Sequence, residues 1–215
     1  MPLPDKNKDS FVSPYLSNTE KDHKLDTPIL IVDIECPLPV VEYLDYFPLT
    51  INVTYYQRHP GESRPIVFHI NSFQTIWLYI QRGDSWEAAE EPTPGFALFD
   101  NPDIQVAVGR SDEFASLCPG ETWSWTYTEE VPDNAEVGDT LRSQFEETQL
   151  DWWDWGSKED HTSTMVTLPF VQGHDVLEPK DNDGRPRIVI PASDPIDRKV
   201  VPRDLSKVTF ETTCT

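Results

Sequence analysis

The sequence predicts an all-β fold, an immunoglobulin-like two-sheet antiparallel sandwich with a flexible N-terminal arm, on three observations. Short runs of alternating apolar and polar residues recur, with turn residues between them about every eight to twelve positions. The 215 residues include twenty prolines and only two methionines. Each interior proline would remove a backbone donor and clash with the preceding turn, which argues against long helices. Finally, the strand signals follow one another without the helical patterns that βαβ units require. A chain of this length can enclose one sizeable core of about seven to nine strands.

The elements follow in order. Residues 1–27 mix charge, proline, serine and asparagine with few large apolar side chains, the composition of a mobile arm, so a single domain is expected over 28–215. Pro28-Ile29-Leu30-Ile31-Val32 opens the ordered part with a β-branched run. Leu49 to Tyr55 alternates apolar and polar residues, the period of a strand with one buried face. His59-Pro60-Gly61 is a turn, after which Pro65–Ile70 and Ile76–Ile80 read as strands. Residues 84–94 hold at most one helical turn. Phe96–Phe99 and Ile104–Val108 are short strands.

Leu117-Cys118-Pro119-Gly120-Glu121 is a turn whose proline presets φ and whose glycine supplies a positive φ. It leads into the strongest strand signal, with aromatics at Trp123, Trp125 and Tyr127 on one face and hydroxyls at Thr122, Ser124 and Thr126 on the other. Leu141–Phe145 is read as a short strand followed by an irregular aromatic segment. Met165–Leu168, Arg187–Ile190 and Val208–Phe210 supply late strands.

Acidic residues outnumber basic ones 38 to 17, a formal charge of −21 at pH 7. That field opposes binding to nucleic acid or to an anionic membrane. No secretory apolar segment opens the chain and no apolar run reaches bilayer length, so a cytoplasmic protein is expected. Cys36, Cys118 and Cys214 are too few and too far apart for a disulfide framework or a zinc site. Asn52-Val53-Thr54 matches a glycosylation sequon but is read as part of a strand.

The most unusual stretch is Asp151-Trp152-Trp153-Asp154-Trp155-Gly156, which holds three of the seven tryptophans. Alternation places Trp153 and Trp155 on one side, facing the core, and Trp152 on the other with Asp154. One expectation is that the rings plug a sandwich edge, because aromatic side chains carry much of a core's apolar area. The other is a partly exposed platform rimmed by Asp151 and Asp154, joined by Trp123 and Trp125. Such a platform suits a basic or amphipathic protein segment through cation–π contact.

Leu117-x-Pro-Gly-Glu, Trp123-x-Trp-x-Tyr, Gly138-Asp139 and the tryptophan tract together resemble small fungal proteins expected to be immunoglobulin-like sandwiches. The resemblance covers roughly residues 28–192 and implies a fold and a fungal source. It brings no activity with it, so no functional residue is carried over.

Other motifs read as structural. Glu159-Asp160-His161 and His174-Asp175 pair imidazole with carboxylate, but neighbours on a strand point to opposite faces. They are expected to be solvated loop residues. Asp181-Asn182-Asp183-Gly184 lacks the ligand spacing and distal Glu of a calcium loop and is read as a β-turn. No catalytic residue, metal or cofactor is expected. Basic residues Arg185, Arg187, Arg198, Lys199, Arg203 and Lys207 gather late in the chain, suited to self-association or to docking on the chain's own domain. The leading functional expectation is a non-catalytic binding or scaffold module. The alternative is a small enzyme or accessory factor of fungal small-molecule metabolism with an aromatic-lined pocket.

Overall fold

The computed structural model describes residues 27–56, 64–73, 76–89, 103–110, 112–167, 183–204 and 206. Most of the arm expected over 1–27, the strands expected at Phe96–Phe99 and Val208–Phe210, and His174-Asp175 lie outside the described residues. Strands run Leu30–Glu35 (β1), Val40–Glu42 (β2), Tyr46–Tyr55 (β3), Ile66–His69 (β4), Trp77–Arg82 (β5), Ser85–Ala88 (β6), Asp103–Gln105 (β7) and Phe114–Leu117 (β8). They continue with Thr122–Glu130 (β9), Thr140–Gln144 (β10), Thr148–Gln149 (β11), Trp153–Trp155 (β12), Met165–Thr167 (β13), Val189–Ile190 (β14) and Ile196–Val201 (β15). One 3-10 turn spans Ile70–Phe73.

Two principal sheets, β1-β3-β9 and β2-β15-β10-β5-β6, enclose one core, with β12-β4-β8 and the pairs β11-β14 and β13-β7 beside them. This is the all-β sandwich that the sequence predicts, although the described residues form fifteen strands where about seven to nine were expected. It is antiparallel throughout except where β15 runs parallel to β2. Alternation builds it. Leu49, Ile51, Val53 and Tyr55 of β3 are buried with Leu30, Val32 and Ile34 of β1, and they share the core with Ile80, Leu141 and Val200 of the other sheet. On the opposite face of β3 a polar ladder runs across to β9. Thr50 bonds Thr126 (2.7 Å), Thr54 bonds Thr122 (2.8 Å), and Ser124 donates to Asn52 (2.6 Å). Such cross-strand pairs each contribute about 0.2–1 kcal/mol. Asn52 also donates to Glu35, so the sequon does sit inside a strand.

Two local readings are corrected. The helical turn expected from residue 84 is strand β6, a hairpin partner of β5 with Arg82 opposite Ser85. Gly83 has φ +61°, the positive value that a two-residue hairpin loop needs at its first position. The aromatic stretch after β10 is ordered as β11 and β12, each held by a distant strand, β14 and β4 respectively.

Candidate functional site

The tryptophan tract is built into the fold on both sides of one strand. Trp153 lies opposite Phe68 and Trp155 opposite Ile66. Trp153 is 1 % exposed, its indole N–H donates to the Pro186 carbonyl (2.9 Å), and its ring meets Trp155 edge-on with centroids 5.3 Å apart. Trp152 points the other way, as alternation requires, yet is only 4 % exposed. A second apolar cluster of Val67, Val106, Phe114 and Val166 covers it. Phe114 meets it edge-on at 5.4 Å.

The surface platform is therefore corrected at Trp152 and Trp153, which are interior. The cations that a platform would recruit come from the chain itself. The Arg64 guanidinium sits 4.0 Å above the half-buried Trp155 ring. Arg185 donates to the Trp153 carbonyl (2.8 Å) and pairs with Asp154 (3.2 Å).

Asp151 serves a histidine that the sequence reading missed. His69, 4 % exposed, places Nδ1 2.6 Å from the Asp151 carboxylate and Nε2 3.8 Å from Glu113. The other Asp151 oxygen accepts the Trp152 N–H (2.8 Å). An imidazole oriented by a carboxylate resembles the base and its orienting partner in hydrolytic triads. Here the second nitrogen faces the Glu113 carboxylate rather than a nucleophile, so the cluster is not arranged as a nucleophile with its base. Asp151 lies 82 positions from His69, and no local spacing could announce the pair.

His161, expected in solvent, is 8 % exposed and is likewise structural. Its Nε2 lies 2.9 Å from the Trp155 carbonyl and its Nδ1 3.0 Å from the Thr164 hydroxyl. The preceding Gly156 has φ +109°, and a Cβ there would sit 3.2 Å from Asp160 and 3.3 Å from His161. Asp160 meanwhile accepts the Ser157 amide and hydroxyl. Asp183 and Gly184, with φ of +51° and +75°, make the turn expected there and bring Arg185 onto the tract.

Trp123 and Trp125 are half-buried, and they belong to the surface feature that remains. They stand on β9, which runs nine residues in unbroken register with β3, from Thr54↔Thr122 to Tyr46↔Glu130. Among the described residues nothing pairs with its other side. Tyr55 donates to the Glu121 carbonyl and Val131 to the Asp45 carbonyl. Alternation from those two points turns the backbone N–H and C=O of Thr122, Ser124, Thr126, Thr128 and Glu130 outward. The strand contains no proline, glycine or lysine, the residues that commonly blunt a sheet edge.

The apolar face of β9 packs Trp123 against Phe73 and stacks Trp125 on Tyr127 with centroids 4.7 Å apart. The Tyr127 hydroxyl is buried beside the Glu129 carboxylate without a hydrogen bond of good geometry, and burial raises both groups above their ordinary pKa. The sequence shows β9 as a strand. Its place at an edge follows only from the topology.

No protein-family model and no curated protein matches the chain. Two solved structures are similar in outline. One is a CARDB domain from Pyrococcus furiosus, solved in complex with di-metal ions, at 13 % identity and TM-score 0.30, covering 84 % of this chain and 94 % of that one. The other is AvmM, described as catalysing macrocyclization in alchivemycin A biosynthesis, at 8 % identity and TM-score 0.29, covering 82 % and 92 %. At such scores neither likeness bears on function.

Proposed function

We propose that this chain is a non-catalytic binding module that holds an extended, amphipathic protein segment by strand addition along β9. The observation that carries the reading is the nine-residue edge, whose outward backbone donors and acceptors pair with no other strand among the described residues. An added strand would satisfy that row with main-chain hydrogen bonds, while alternate side chains met either the indoles or the hydroxyl ladder. An amphipathic segment matches the two faces of β9, and a cytoplasmic, fungal setting remains part of this reading.

The test is binding of an alternating apolar and polar peptide to wild type and to Thr126→Pro. Position 126 points its N–H outward, so proline there blocks an added strand while sparing the main-chain bonds to β3, at the loss of the Thr126–Thr50 hydroxyl bond. Loss of binding supports the proposal; equal binding by both proteins contradicts it.

A second reading, a small enzyme or accessory factor, would draw on His69 and Asp151 as its acid–base pair. The burial of His69 gives substrate no approach to the imidazole in this conformation. That favours the binding module.

A further inference from the structure

We infer that the strand added to β9 is β9 of a second copy of this chain, the two related by a twofold axis through Thr126; this rests on the strand-addition reading above. A strand that pairs antiparallel with itself about Thr126 places Ser124 opposite Thr128 and Thr122 opposite Glu130 of the other copy. All of these positions, with Thr126 itself, carry the outward-pointing backbone groups, so the register satisfies the parity that an antiparallel ladder demands. Full overlap would form about ten main-chain hydrogen bonds, two for each of the five facing pairs. A one-residue slip would set outward-pointing groups against inward-pointing ones and lose the ladder.

The side chains agree with the same register. On the apolar face Trp125 meets Tyr127 of the other copy, an aromatic cross-strand pair of the kind that stabilises sheets. Trp123 meets Glu129, and on the polar face Glu130 meets Thr122. No acid lies opposite an acid, although each strand ends in Glu129-Glu130 and each chain carries a formal charge of −21. The two copies of β1-β3-β9 would merge into one six-stranded sheet, and the polar ladder from Glu35 through Asn52 to Ser124 would continue across the axis. The contact is isologous and closed, so association stops at two. One strand pair between strongly acidic chains makes a weak, reversible dimer. Added salt strengthens it by screening the repulsion.

The experiment is sedimentation equilibrium of the full chain over a wide concentration range at low and high salt. The expected result is a mass rising from 24.7 kDa toward twice that value, at lower concentration when salt is added. Thr126→Pro should hold the mass at the monomer value. The double variant S124K/T128K, which sets lysine opposite lysine and leaves the backbone ladder intact, should do the same. It serves where the proline variant fails to fold. Mixing S124K with T128E, which sets lysine opposite glutamate in the mixed dimer, should give tighter association than either variant alone.

A dimer untouched by all of these changes overturns the inference. So does a wild type that stays monomeric at every concentration and salt. In that case a synthetic peptide of the sequence of residues 122–130 separates the two levels. If the peptide binds, strand addition stands and only the second copy is wrong. If it does not bind, or if the outward β9 amides of the monomer resist exchange, both readings fall.

Discussion

Replacing Trp153 with alanine tests whether the tryptophan tract is a structural plug, and the magnitude can be worked from its surroundings. The ring is 1 % exposed, and truncating a buried aromatic to alanine costs about 3–5 kcal/mol. The carbonyl of half-buried Pro186 loses its indole donor, and a lost hydrogen bond costs about 0.5–1.5 kcal/mol. Water entering the cavity would recover part of that, so the two figures do not simply add. An expected loss of about 4–6 kcal/mol takes much of the roughly 5–15 kcal/mol that holds a typical domain.

Equilibrium urea unfolding followed by circular dichroism measures the loss. At slopes of about 1–3 kcal/mol per molar, the midpoint should fall by more than about 1 M. Trp155→Ala should cost less, because Trp155 is half-buried and held in part by Arg64 above its ring. A Trp153→Ala protein with a midpoint near that of wild type would refute the plug.

Gly156→Ala should destabilise by about 1–3 kcal/mol, because alanine must adopt φ +109° and push against Asp160 and His161; an unchanged thermal midpoint would count against that strain. Burial raises the Glu129 carboxyl, so the folded chain holds its proton more tightly than the unfolded one. The resulting contribution is fully present below the unfolded pKa and is lost as pH rises through the folded one. Glu129→Gln should therefore gain on wild type as pH rises above the ordinary carboxylate range, tracked as the difference of their urea midpoints; a constant difference would contradict the assignment. Arg142 clamps Asp197 with two hydrogen bonds (2.8 and 3.0 Å) and lies 3.9 Å from the Trp86 ring. Both contacts are partly exposed, so Arg142→Ala should cost only about 0.5–1.5 kcal/mol, and a loss above about 3 kcal/mol in the same urea assay would show a deeper role.

The long strands were legible because their alternation reports burial directly. β3 and β9 read from sequence nearly as they stand, down to which face of β9 carries the hydroxyls. β12 was harder, since Trp152 just before it and Trp153 at its start are neighbours that are both buried, each in its own apolar cluster, and the alternation of burial is lost there. β6 was missed although Gly83-Asp84 is a hairpin signal, because residues 84–94 were read as holding at most one helical turn.

The site was less legible than the fold. His69 meets Asp151 only because Trp152 and β12 run beside β4. Arg64 and Arg185 reach the indoles from segments on either side of the tract in sequence, which no local pattern reveals. The indoles of the tract were expected either to plug a sandwich edge or to form a recognition surface; Trp152 and Trp153 are interior, and Arg64 of the same chain covers Trp155.

Amide hydrogen exchange along β9 tests most directly whether recognition resides on this edge. In dilute protein the inward amides of Trp123, Trp125 and Tyr127 should be protected, while those of Ser124, Thr126 and Thr128 exchange freely. At high concentration, or with an added strand-forming peptide, the second set should become protected as well. Uniform protection at every dilution, or free exchange of the outward amides under all conditions, would contradict the account.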